Sequence, residues 1–180
     1  MSKIVPPKRP LQDRAETEAK LTAAGVVQRV ALLGDRGYYL NGMGEPGKND
    51  RGIYDDALFL LSPAVHASFN ANTDPSVYRS GIATLKPGRW LYKLGIHGLS
   101  RPKAQQYRAL VQAAEVTVAR DGQEDDTGWF GINIHRGAYQ STSSLGCQTI
   151  FPDQWSAFFA LVESEMKRFG QKTIPYVLLP

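Results

Sequence analysis

Seventeen glycines and eleven prolines cut the 180-residue chain into short pieces, and only one stretch is periodic over enough length for a substantial helix. Over Asp153–Phe169 the residues Trp155, Phe158, Phe159, Val162, Met166 and Phe169 recur at spacings of three and four, which gives a single apolar face. Pro152 suits the first turn of that helix and Gly170 its end. The other apolar runs are shorter and richer in β-branched residues. They predict strands over Val26–Leu33, Gly37–Leu40, Ala57–Leu61, Ala114–Ala119, Phe130–Ile134 and Thr173–Leu179. Ile82–Leu85 and Arg89–Leu94 flank a Lys86-Pro87-Gly88 turn, which predicts a hairpin. Short helices are expected over Arg14–Ala24, capped by Asp13 and stopped by Gly25, and over Gln105–Ala114. Gly34-Asp35 and Asp121-Gly122 read as turns, Asn41–Gly52 as a surface loop and Asn70–Ser76 as a polar turn region. The expected fold is mainly β with flanking helices: one domain over residues 13–180 behind a flexible leader, residues 1–12.

The formal charge of +4 is too small to select a partner, and part of it (Lys3, Lys8, Arg9) sits in the leader. Basic residues are scattered rather than ordered with aromatics, so nothing points to nucleic acid. No run approaches the ~20 apolar residues of a membrane helix. The N-terminal KIVPPKRP has no apolar h-region. The expectation is therefore a protein made in the cytoplasm without a signal peptide or membrane insertion. Oligomeric state has no signature here. The one cysteine excludes an intrachain disulfide.

The stretch that carries chemistry is FGINIHRGAYQSTSSLGCQTI, Phe130–Ile150. A strand delivers His135, a Ser/Thr-rich loop follows, and Cys147 comes just before the long helix. A thiolate is the strongest nucleophile among ordinary side chains, and a nearby imidazole or helix N-terminus lowers the thiol's pKa. His135 is the candidate base that takes the thiol proton and returns it to a leaving amine. The N–H groups around Gly146 and Cys147 are candidate oxyanion donors. Ser143 and Ser144 are candidates to orient the imidazole, and Arg136, Tyr139, Gln148 and Thr149 to contact substrate. This chemistry needs no cofactor. A rival draws zinc ligands from His66, His97, His135 and Cys147, with Asp55 or Asp56, although no HExxH or CxxC pair is present. A third reading leaves Cys147 packed in a non-catalytic binding or structural module.

The arrangement His135-x-Gly137, then Ser144-x-Gly146-Cys147, resembles the L,D-transpeptidase (YkuD-like) family. The resemblance implies a mainly β sandwich or barrel and a cysteine nucleophile. The target it implies is a peptide carbonyl of peptidoglycan stem peptides or crosslinks, attacked through a thioester. It makes His135 the family histidine and Ser144, Gly146 and Cys147 the serine, glycine and nucleophile. Leu145 stands where the family has histidine, Thr149 where it has arginine, and Arg136 separates His135 from its glycine. His97-Gly98 is a second His-Gly pair that offers an alternative histidine. RGYYLNGMGEPGKNDRGIYDD and FNANTDPS resemble bacteriophage- and prophage-encoded proteins, which favours an endolysin-like hydrolase over a crosslinking enzyme. Action at the cell wall would then need delivery by another factor.

Overall fold

A computed structural model describes residues 4–180. Its elements are α1 (Arg14–Ala23), β1 (Ala31–Asp35), β2 (Asp56–Leu61), β3 (His66–Asn72), β4 (Ala83–Leu85), β5 (Gly88–His97), a 3-10 turn (Lys103–Gln105), β6 (Tyr107–Gln112), β7 (Val116–Arg120), β8 (Gln123–Gly128), β9 (Ile134–Arg136), β10 (Gln148–Ile150), α2 (Pro152–Arg168) and β11 (Ile174–Leu179). The chain is mainly β with flanking helices. Eight strands close into a barrel in the order β1-β11-β5-β6-β9-β10-β3-β2, and β4-β7-β8 form a separate three-stranded sheet.

Alternation along the strands sorts side chains between two apolar clusters. Leu32, Leu58, Leu60, Tyr176 and Leu178 join Tyr92, Leu110, Ile134 and the α2 residues Phe158, Val162 and Met166. Their neighbours Ala31, Leu33, Ala57, Phe59, Leu61 and Val177 pack with Leu21 of α1. The expected stripe on α2 is the face that is buried, with Phe158 and Val162 fully covered. Side chains of that size stabilise by about 1.5–3 kcal/mol each when removed from water.

Several sequence expectations are corrected. Tyr107–Gln112 is a strand, not part of a helix, because it pairs with β5 along its length. Ile82–Leu85 and Arg89–Leu94 do not form a hairpin: β4 pairs β7, while β5 pairs β11 and β6. Gly34 and Asp35 continue β1 instead of turning. Gly37–Leu40 is a turn, and only Ile134–Arg136 of the stretch from Phe130 is a strand. Strands β3 and β8 carry too many polar residues to stand out. β8 is an edge strand whose Gln123–Thr127 face solvent, and it owes its conformation to pairing with β7.

Residues 4–12 are docked along their length rather than free. Tyr54 N–H donates to Ile4 O (2.7 Å), Tyr39 OH to Lys8 O (3.0 Å), Ser68 Oγ to Pro10 O (2.6 Å) and Tyr38 OH to Leu11 O (2.6 Å). Pro6 and Pro10 are buried. Lys3 lies outside the described residues.

The Asn41–Gly52 loop folds against a buried acidic group, Asp55, Asp56 and Asp74. Asp56 accepts backbone N–H bonds from Gly37 (2.6 Å) and Thr73 (2.5 Å), which suits an ionised carboxylate. Asp55 takes Asp50 N–H on Oδ2 (2.8 Å), while its buried Oδ1 has no partner among the described residues. Arg36 lies 3.4 Å from Asp74. Burial, followed by mutual repulsion, drives the group's proton affinity above the ordinary carboxylate range. Asp55, whose Oδ1 accepts no bond among the described residues, is the member of the group that gains least from ionising. A carboxyl group that binds its proton more tightly when folded stabilises the fold below the unfolded carboxylate pKa, and that contribution is lost as pH rises through the folded value. Stability to heat should therefore increase on acidification from about pH 8 towards pH 5. Asp55→Asn should flatten the trend, which melting curves across that range will check.

Candidate functional site

Four adjacent barrel strands build the site. β5 pairs β6 with His97 opposite Tyr107, β6 pairs β9 with Leu110 opposite Ile134, and β9 runs parallel to β10 with His135 opposite Thr149. Period-two alternation puts His97, Tyr107, Asn133 and His135 on one face of this sheet. Cys147, one residue before β10, falls on the same face. Leu110, Ile134 and Gln148 have the opposite parity and fill the interior, all fully buried.

The side chains meet accordingly. One ring nitrogen from each of His97 and His135, together with Cys147 Sγ, lies in a group whose atoms are all within 4.8 Å of one another. The two imidazoles are stacked, with centroids 4.0 Å apart and planes 26° apart. Cys147 is half-buried. Its Sγ accepts Asn133 N–H (3.4 Å) and points its thiol to Gly131 O (3.5 Å).

Hydrogen bonding settles the tautomer of His135. Its Nδ1 is 2.7 Å from Arg136 O, and a carbonyl only accepts, so Nδ1 carries the proton. Tyr107 OH, 3.0 Å from the same nitrogen, donates to Arg136 O (3.3 Å). The neutral ring therefore keeps its lone pair on Nε2, the nitrogen a general base uses. Asn133 Nδ2 donates to His97 Nδ1 (3.1 Å).

Burial sets the resting protonation. It pushes His135 down to about 3, helped by His97, and the Cys147 thiol up to about 11. Burial also lowers His97, with Arg101 adding to it. The resting pair is thus a thiol and a neutral imidazole. The positive charge of Arg101 acts the other way on Cys147, favouring the thiolate.

A cleft of about 720 Å³ opens beside the group, lined by Lys93, His97, Arg101, Trp129, Gly131 and Asn133 among others. Trp129 is 61% exposed, so an aromatic surface and two cations face whatever enters.

The sequence-derived candidates divide. His135 and Cys147 come together. His97 joins them, which nothing in the local sequence could show, because it reaches the site through strand order alone. Ser144 is buried and clamps the loop that carries Cys147: its Oγ donates to Cys147 O (2.7 Å) and receives Gly146 N–H (3.0 Å). Gly146 N–H is therefore occupied and is not an oxyanion donor as expected. Ser143 is exposed, with a positive φ of 55° and its N–H on Ser141 Oγ, and it does not touch the imidazole. Gln148 and Thr149 are fully buried, so neither reaches substrate. Gln148 binds Thr73 O and Tyr176 OH inside the barrel. Arg136 is exposed above the Tyr107 ring. Tyr139 is exposed and donates to Asp153 Oδ1 (2.6 Å) at the start of α2. His66 is elsewhere, stacked on Phe59 and bonded to Thr17, and Asp55 and Asp56 belong to the separate acidic group.

No helix among the described residues is long and apolar enough to cross a membrane. Comparison with protein-family models, with curated proteins and with solved structures returns no match for this chain.

Proposed function

We propose that this protein is a cysteine-dependent acyl-transfer enzyme of the L,D-transpeptidase type, acting on peptidoglycan stem peptides or crosslinks. One observation carries the reading: Cys147 Sγ, grouped with His135, is hydrogen-bonded to Gly131 and Asn133 in the wall of an open cleft, and the His135 tautomer leaves Nε2 free to take a proton.

In the first half-reaction Sγ attacks the amide carbon and the thiol proton passes to His135 Nε2. The tetrahedral oxyanion needs a donor, and with Gly146 N–H occupied the loop offers Cys147 N–H. Collapse breaks the C–N bond, and the departing amine takes the proton from His135. A thioester on Cys147 remains. In the second half-reaction water attacks the thioester, His135 accepts its proton, and the C–S bond breaks to release an acid and restore the thiol. An amine in place of water gives a new amide by the same steps. Hydrolysis is the favoured outcome, on the resemblance to phage-encoded chains. Lys93 and Arg101 suit a substrate that carries carboxylates, as stem peptides do.

The test is mass spectrometry of purified peptidoglycan after incubation with the wild type and with Cys147→Ala. New muropeptides from the wild type alone support the reading and identify the bond. Shortened or released peptides indicate hydrolysis, and exchanged or linked ones transfer. Identical products from both proteins, on walls of Gram-negative and Gram-positive type, reject it in favour of a binding or structural role.

A further inference from the structure

The thiol pair accounts for Cys147 and His135 but not for His97. That imidazole sits at the end of β5, stacked on His135 and within 4.8 Å of the reactive group. Two imidazoles and one thiol whose donor atoms lie within 4.8 Å of one another are a donor set for a borderline-soft divalent ion, which takes tetrahedral N and S ligands at about 2.0–2.3 Å. The outer shell is also present. A ligating histidine usually donates its other N–H to a carbonyl or amide oxygen. His135 already gives Nδ1–H to Arg136 O. Asn133 faces His97 Nδ1 with a primary amide, which serves either tautomer by presenting nitrogen or oxygen. Both Nε2 atoms are then available, and the cleft supplies solvent for a fourth position.

We propose that His97 Nε2, His135 Nε2 and Cys147 Sγ capture one divalent ion of the zinc class, and that capture reversibly shuts off the nucleophile. The proposal rests on the reading of Cys147 as nucleophile. On binding, the thiol proton leaves to solvent, sulfur gives its electron pair to the metal, and His135 loses the lone pair it needs as a base. Two features favour an inhibitory ion over a resident catalytic one. The donor atoms span up to 4.8 Å, wider than a tetrahedron with bonds of about 2.0–2.3 Å allows, so the side chains must close on the ion. The cluster of possible ligands is His97, His135 and Cys147, with no carboxylate in it to act as a base towards a metal-bound water.

The experiment titrates the purified full chain with Co²⁺ and follows the near-ultraviolet thiolate-to-cobalt band, then measures Zn²⁺ binding by calorimetry and muropeptide release with Zn²⁺ and with EDTA. One ion should bind with the thiolate band. The band should vanish in Cys147→Ala, and affinity should fall in His97→Ala by at least the about 10–100-fold that loss of an outer-shell partner costs. Zn²⁺ should stop muropeptide release, and EDTA should restore it. Circular dichroism checks that the variants are folded. Absence of the band, or binding indifferent to both substitutions, overturns the ion site and leaves the thiol enzyme standing. Activity lost in EDTA and restored by Zn²⁺ overturns the inhibitory role and the thiol mechanism together.

Discussion

His135→Ala is expected to lower the rate of muropeptide release by about 10²–10⁴-fold, the range for removing a positioned general base. The loss should fall on kcat, because His135 is buried and lies outside the cleft lining, so on the proposed mechanism its part is proton transfer. Removing it also leaves Arg136 O and Tyr107 OH without the Nδ1–H partner, so a modest loss of stability accompanies the change. Steady-state kinetics on a defined muropeptide, with circular dichroism as the fold control, separate the two effects. A variant that keeps its fold and more than a tenth of the wild-type rate would show that His135 is not the base, and His97 would then be the imidazole to test.

Gly146→Ala is expected to be the most damaging conservative change near the nucleophile. Gly146 has φ +130°, in the left-handed half of conformational space that L side chains rarely adopt. An added Cβ would stand 2.6 Å from Ala83 O and 3.0 Å from Ile132 Cδ1. The first of these is backbone and cannot rotate away. Strain and overpacking together cost about 2–5 kcal/mol, and in a chain of this length each kcal/mol lowers Tm by about 2–4 °C. The displacement is transmitted to the next residue, Cys147, so alkylation of the thiol and turnover should change as well. Gly47→Ala is the internal control. Gly47 also has a positive φ, 76°, but nothing lies within 4 Å of its added Cβ, so it bears the conformational cost without the collision. Equal losses in the two variants would mean that the contact with Ala83 has no energetic weight.

Elements that bury one clear face were legible in the sequence. α2 shows its helical period, and β2 and β11 are short apolar runs whose ends fall within a residue or two of the expected ones. What stayed hidden depends on partners far along the chain. Tyr107–Gln112 has residues of good helix propensity, yet it lies between β5 and β9, and pairing overrides propensity there. β3 hides its strand character behind Asn70 and Asn72, which are buried with their amide nitrogens bonded to Lys8 O of the docked leader and to Asp74 O. The site divides the same way. Cys147 and His135 were readable because glycines and a Ser/Thr loop sit beside them. Gln148 and Thr149 were assigned to substrate because a three-residue strand reveals neither that Gln148 points into the barrel nor that Thr149, on the face of His135, is covered. His97 was legible as an alternative histidine and as one of several possible zinc ligands, but its stacking on His135 was not, since only strand order brings the two rings together.

The small sheet has a different relation to solvent from the barrel. Closure gives every barrel strand a neighbour on each side, whereas β8 is paired with β7 alone and presents along its outer edge a row of N–H and C=O groups that no strand among the described residues pairs. Such a row is a template on which a second copy could add a strand. Glu124, Asp125 and Asp126 stand along it in unbroken succession, and among the described residues Asp125 pairs with Lys86 and Asp126 with Arg120. Two molecules approaching edge to edge would bring these carboxylates together, and repulsion would part them before backbone bonds formed. The acidic run thus guards the protein's colloidal behaviour, and substitutions that neutralise it are expected to show up first in light scattering.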